Sequence, residues 1–178
     1  MAIESFDETR TFPTDAFTDV LTSNDAFSSS FAFDELTGTA ARGLAIVTCM
    51  DSRISPLAVV GMRPGDAKIL RNAGARVTDD VLRTLMLATY LLGVNRILVM
   101  PHTDCRMAKV TEAEIHSTIA NQFGVDTRSM EFRTDSDQVG ALRKDVTRIR
   151  SFPLIPNDVA VGGAIYSVTT GKLEPIDC

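Results

Sequence analysis

Between Leu44 and Val168 the chain alternates short apolar runs with longer amphipathic stretches, and the two kinds of segment predict different elements. Leu44-Ala45-Ile46-Val47-Thr48-Cys49 is apolar and rich in β-branched residues, starts after Gly43 and gives way to the polar Asp51-Ser52-Arg53. Such a run predicts a strand buried on both faces of a parallel sheet. Arg96-Ile97-Leu98-Val99-Met100-Pro101 predicts a second strand and Ala67-Lys68-Ile69-Leu70 a shorter one. Val159 to Val168 predicts a last strand, interrupted by Gly162-Gly163 and followed by a tight turn at Thr169-Thr170-Gly171-Lys172.

The amphipathic stretches carry helix signals. Thr78 is placed to cap a helix running to about Leu92, with Asp79 and Asp80 in its first turn and Gly93 at its end. Its apolar face is Val81, Leu82, Leu85, Ala88 and Leu92. Thr111-Glu112-Ala113-Glu114 has the capping-box pattern for a helix to Phe123, and Ser136 to Arg150 predicts another. Pro56 to Met62 predicts a short helix before a turn at Arg63-Pro64-Gly65-Asp66. Strands alternating with helices predict an α/β fold with a mostly parallel central sheet flanked by helices.

The first forty residues break this rhythm. They are polar, with Phe6, Phe12, Phe17, Phe27, Phe31 and Phe33 spaced through them. Asp15 to Phe31 predicts a helix with an intermittent apolar face, weakened at its end by Ser28-Ser29-Ser30. Exposed aromatics on an extension mark packing against a partner. The expected organisation is therefore an N-terminal helical arm over 1–40, packing on a partner subunit, and an α/β domain over 41–178.

Composition narrows the function classes. The chain has 178 residues, 44% of them hydrophobic, enough for one domain without disulfide staples. The formal charge of -5 and scattered Lys and Arg exclude a basic footprint for nucleic acid or an anionic membrane. The acidic start lacks a signal-peptide pattern and no segment predicts a membrane span, so the expectation is a soluble, cytoplasmic protein. Three cysteines make no disulfide framework, and Cys178, at the last position, reads as a free thiol on a fraying end.

The remaining cysteines carry the candidate chemistry. In open α/β sheets ligands bind beyond the carboxyl ends of the strands, which is where the pattern puts Cys49 and His102-x-x-Cys105. Two thiols and an imidazole form a Cys2His set, the donor type of a catalytic zinc site that keeps its fourth position for water. Asp51 and Arg53 alternate with Cys49, so all three can face one way. A carboxylate there can accept a hydrogen bond from a metal-activated water, and a guanidinium can hold that carboxylate bidentately. The competing readings are buried inert thiols and an ordinary ion pair at a strand end.

Cys49-x-Asp51-x-Arg53, Arg71-Asn72-Ala73-Gly74 and His102-x-x-Cys105, in this order, resemble the signature of the β-class carbonic anhydrases and their carbonyl sulfide and carbon disulfide hydrolase relatives. The resemblance spans Leu44 to Met107 and continues more weakly to the last strand. It implies one zinc ion per subunit on Cys49, His102 and Cys105, a catalytic Asp51-Arg53 dyad, and a homodimer or higher homo-oligomer with its sites near the subunit interface. The swapped N-terminal helices of the family give the Phe-bearing arm a use. In some members the aspartate replaces water on the metal, and Asp51 could do the same.

The activity implied is reversible hydration of carbon dioxide to bicarbonate and a proton, with hydroxide made available at zinc. The alternatives are hydrolysis of carbonyl sulfide or carbon disulfide at the same site, releasing hydrogen sulfide, and a non-catalytic zinc-binding protein. The resemblance places Gly74 beside the site, and Val77 and Leu87 are apolar candidates for the substrate pocket. Three departures stand out: Arg106 replaces the usual glycine after the second cysteine, a tyrosine of many members is missing near Leu87, and the chain has no Trp. His116 is a proton shuttle by residue type, but its place on an amphipathic helix reads as a surface residue.

Overall fold

The structure, a computed structural model, describes residues 11–178, so Phe6 lies outside the described residues. Its contacts divide the chain into Met1–Leu36 and Thr37–Cys178. Within the first unit, a 3-10 turn over Thr14–Phe17 leads into helix α1, Thr18–Ser28. The serine run breaks the helix before Phe31, and Phe12, Phe17, Phe27, Phe31 and Phe33 are all exposed.

The second unit is built on β1 (Leu44–Cys49), β2 (Ala67–Asn72), β3 (Arg96–Met100), β4 (Ala160–Tyr166) and β5 (Leu173–Ile176), in the spatial order β2-β1-β3-β4-β5. β1 runs parallel to both β2 and β3, and β3 parallel to β4. All six residues of β1 are buried, as a continuous apolar run at the centre of a parallel sheet requires. Edge strand β2 tolerates Lys68 and Arg71 and extends two residues further than the apolar pattern indicates.

Two details at the other edge differ from the sequence pattern. β4 continues unbroken through Gly162-Gly163. At Gly163 a Cβ would come within 2.9 Å of Leu142, so the glycine permits close packing of the helix that carries Leu142 and does not interrupt the strand. β5 pairs antiparallel with β4 and has only four residues, one of them Pro175. A proline hides a strand from periodicity, and at a sheet edge its missing N–H is tolerated.

Helices cover the two faces. α3 (Asp79–Leu91) is capped by Thr78, whose Oγ1 accepts from the Val81 N–H at 3.3 Å. α5 (Glu112–Phe123) has the full capping box with Thr111 and Glu114 and ends at Gly124 in the left-handed conformation. α6 (Gln138–Arg150) starts two residues later than Ser136 because Asp137 is the cap, its Oδ1 accepting from the Gly140 N–H. Two short helices, α2 (Pro56–Val59) and α4 (Arg106–Lys109), follow β1 and the loop after β3. Alternation along β1 sorts the core: Ala45 and Val47 pack with Val81, Leu85, Leu142 and Val146, while Leu44 and Ile46 pack with Ile54 and Met100. No helix among the described residues is long and apolar enough to cross a membrane.

One buried ion pair ties α6 to the turn after β2. Arg76 Nε lies 2.8 Å from Asp145 Oδ2, and the side chains are 16% and 8% exposed. Removing one partner of such a pair strands the other charge. Asp145→Ala is expected to lower stability by about 3–5 kcal/mol, measured by urea unfolding; a change below about 1 kcal/mol would show that Arg76 finds water instead.

Candidate metal centre

The loops beyond β1 and β3 bring the centre together. After β3 the chain keeps pairing with β4: the Thr103 N–H donates to the Tyr166 carbonyl at 2.8 Å, and the Tyr166 N–H to the Pro101 carbonyl at 2.9 Å. This delivers His102 fully buried, with its carbonyl held by Gln138 Nε2 at 2.7 Å from the start of α6. The ring Nδ1 lies 2.8 Å from the Thr103 carbonyl. That contact assigns the proton to Nδ1 and leaves Nε2 as a free lone pair. Asp104 takes a left-handed backbone, φ 62°, which reverses the chain so that Cys105 returns beside His102.

Cys49, His102 and Cys105 are all buried, and their ligand atoms lie within 4.8 Å of one another. His102 Nε2 is buried without a hydrogen-bond partner. A tetrahedral zinc takes S at about 2.3 Å and N at about 2.0–2.1 Å, and two thiols with an imidazole are the donor types it binds, so the chemistry of the set fits such an ion. The buried lone pair converges with two thiols, the remaining donors of a Cys2His set. The thiols divide their acidity unequally. The hydrogen bond from Cys105 holds Cys49 far below the ordinary thiol range against the opposing effect of burial, with further help from His102 and the Gly74 and Asp51 backbone. The same contact with Cys49, and burial, push Cys105 up. Burial disfavours the charged form of His102, but the neighbouring Cys49 sulfur and its charge outweigh it and raise its pKa.

Asp51 stands at the rim of this cluster, its Oδ2 3.7 Å from His102 Nε2. Arg53 grips it three times: the backbone N–H donates to Oδ1 at 2.9 Å, Nε to Oδ1 at 3.0 Å and Nη2 to Oδ2 at 2.8 Å. The Arg53 side chain, followed by its backbone N–H, holds the Asp51 carboxyl well below the usual carboxylate range. Arg53 Nη1 also donates to Asp104 Oδ2 at 2.8 Å, and Asp104 accepts from Lys109 as well. Lys109 first and Arg53 second lower the Asp104 pKa to about 2. Arg53 thus bridges carboxylates from both strand-end loops.

Gly74 borders the cluster with φ +80°, and a Cβ there would lie 3.1 Å from the Met107 Cβ. Its bareness lets the turn after β2 approach the start of α4. The other sequence candidates lie elsewhere. Val77 is fully buried in the core with α3 and α6, and its carbonyl accepts from Arg148 at 2.9 Å. Leu87 is exposed on α3, and Arg106 is exposed at the first position of α4. His116 differs from its surface expectation: it is half-buried, with Nδ1 2.9 Å from Thr127 Oγ1 and its ring 5.2 Å from that of Phe132, because the segment after α5 folds back over it. Cys178 is a free, exposed cysteine, and the last residues are hydrogen-bonded to α6: Arg150 and Arg143 donate to the Cys178 and Asp177 carbonyls.

Fold and site together define an α/β protein with a Cys2His cluster that could hold a metal ion at the carboxyl ends of adjacent parallel strands. The profile of the family described as "Carbonic anhydrase" matches residues 44–173, and the chain belongs to that family, in its β class. It is 34% identical over 159 residues to "Beta-carbonic anhydrase 1" of Mycobacterium tuberculosis, covering 89% of this chain and 96% of the relative. It is also 34% identical over 156 residues to "Carbon disulfide hydrolase" of Acidianus sp., covering 75% and 76%. Among solved structures, a carbonic anhydrase from Streptococcus mutans superposes with a TM-score of 0.86 at 36% identity, covering 94% of this chain and 99% of that one.

Proposed function

We propose that this chain is a zinc-dependent carbonic anhydrase that interconverts carbon dioxide and water with bicarbonate and a proton. The observation that carries the reading is the unpartnered His102 Nε2, converging with two thiols while the Asp51 carboxylate waits 3.7 Å away. Cys49, His102 and Cys105 would hold the zinc. Bound by three protein donors, zinc would leave a position for water and lower its pKa towards about 7, supplying hydroxide at neutral pH.

Asp51 and Arg53 do the remaining work at the reacting oxygen. With its pKa held well down, Asp51 stays ionised and accepts the hydrogen bond of the attacking oxygen without carrying its proton away. It therefore orients a lone pair towards the carbon of carbon dioxide, and the three donors of Arg53 keep that carboxylate from turning. A purely structural zinc would ask for a fourth protein ligand; the cluster found among the described residues has three.

The same reading includes a homo-oligomer, supported by the five exposed phenylalanines of residues 11–36, whose rings pair along the arm. The arm over 1–40 would pack on a second copy, with the catalytic domain over 41–178 and Gly74 bordering the metal cluster.

Carbon disulfide or carbonyl sulfide hydrolysis is the second reading, favoured by the relative of that name at 34% identity. Stopped-flow hydration and sulfide release, measured on one zinc-quantified preparation, separate them. Hydration is expected to exceed sulfide release at least about a hundredfold in kcat/KM, a gap of some 2.7 kcal/mol in barrier. Rapid sulfide release with negligible hydration would reverse the assignment.

A further inference from the structure

We propose that Arg71 is a positioning residue for this reaction, acting through the backbone that carries Asp51. The inference rests on the carbonic anhydrase reading and assigns a task to a residue on the sheet edge. Arg71 lies on β2, in register with Thr48, and is exposed. Among the described residues it forms no ion pair with a carboxylate; its guanidinium is turned to main-chain oxygens instead. Nε donates to the Cys49 carbonyl at 2.9 Å, Nη2 to the Asp51 carbonyl at 2.6 Å and Nη1 to the Ile54 carbonyl at 3.2 Å.

These three carbonyls span the loop that holds one thiol of the cluster and both members of the dyad. All three nitrogens of one rigid fork are engaged on it, a geometry that a lysine ammonium does not reproduce. The loop needs such an anchor. The Asp51-Arg53 pair is itself partly exposed, with side chains 20% and 45% accessible, and a pair of that kind adds little stability in water. Arg53 fixes the carboxylate relative to its own backbone two residues away, but it does not fix that backbone relative to Cys49. Arg71 does so, by clamping the Cys49 and Asp51 carbonyls with one planar group. A misplacement of about 1 Å in such a constellation costs about a hundredfold in rate, so the clamp matters to turnover well before it matters to folding.

The test is a double-mutant cycle on the full chain, with zinc quantified in every sample. Arg71→Lys and Arg71→Gln are each combined with Asp51→Ala, and kcat/KM for carbon dioxide is measured by stopped flow. The expected result is one zinc per chain throughout, a fall of about 10- to 100-fold in each Arg71 variant, and less than about a twofold further change when the Arg71 substitution is added to Asp51→Ala. Lysine, which replaces one of the three bonds, should retain more activity than glutamine. Losses that multiply in the double variant would overturn the proposal, because Arg71 would then act independently of Asp51. So would zinc or folded protein lost in proportion to activity in both variants, which would make Arg71 a structural residue. A wild-type chain that binds zinc and hydrates no carbon dioxide would instead fail the carbonic anhydrase reading itself.

Discussion

Replacing Cys105 with alanine is expected to strip the chain of zinc and lower carbon dioxide hydration at least about a thousandfold. Changing a residue merely behind a metal ligand already costs about 10- to 100-fold in affinity or activity, and in the proposed site Cys105 would supply one of three donors. What remains, Cys49 and His102, is a two-donor site. The fold should survive, since the sheet and the larger core cluster with Val47, Leu85 and Val146 do not include Cys105. Metal analysis, circular dichroism and stopped-flow hydration on the same sample check this. A variant that keeps stoichiometric zinc and full turnover would remove Cys105 from the site.

Asp51→Ala is expected to leave zinc bound and to lower kcat/KM by about 100- to 1,000-fold. Arg53 remains anchored in the variant through Asp104 Oδ2 at 2.8 Å, so the loss reflects the missing carboxylate and not a displaced guanidinium. The pH dependence follows from the direction of the shift. The folded-state pKa of Asp51 is depressed by Arg53, so the stability from that pair is fully present above the unfolded carboxylate value of about 4 and is lost as pH falls through the lower folded value. Asp51 therefore does not titrate in the neutral range. Wild type and Asp51→Ala should show the same break in kcat/KM near neutrality, at different heights; a break that vanishes with Asp51 would make it the titrating base.

The strand-end cysteines and histidine were legible because chemistry and periodicity coincide there. A buried strand that stops abruptly at Cys49, and another that stops at His102, leave their polar residues at one edge of a parallel sheet, and the structure brings the three donor atoms within 4.8 Å. The groups that support them were not legible. Gln138 reaches the His102 carbonyl from 36 positions away, with no local pattern to announce it. Asp104 sits within the His-x-x-Cys segment, but its left-handed backbone and its bond to Arg53 depend on how the two loops meet. Arg71 is a signature residue whose task the sequence does not show, because its three partners are backbone oxygens that no side-chain pattern records. In the same way β5 carries no periodic signal, its period broken by Pro175, and the helix pattern around His116 does not reveal the segment that folds over it.

Zinc-dependent turnover is the most direct test of the account. The chain is stripped of metal with a chelator, zinc is returned in steps, and carbon dioxide hydration is followed by stopped flow against the zinc content of each sample. The account predicts negligible activity without metal and a linear rise that stops at one zinc per chain. Hydration that persists after zinc removal, or a chain that takes up one zinc and stays inactive, would contradict it.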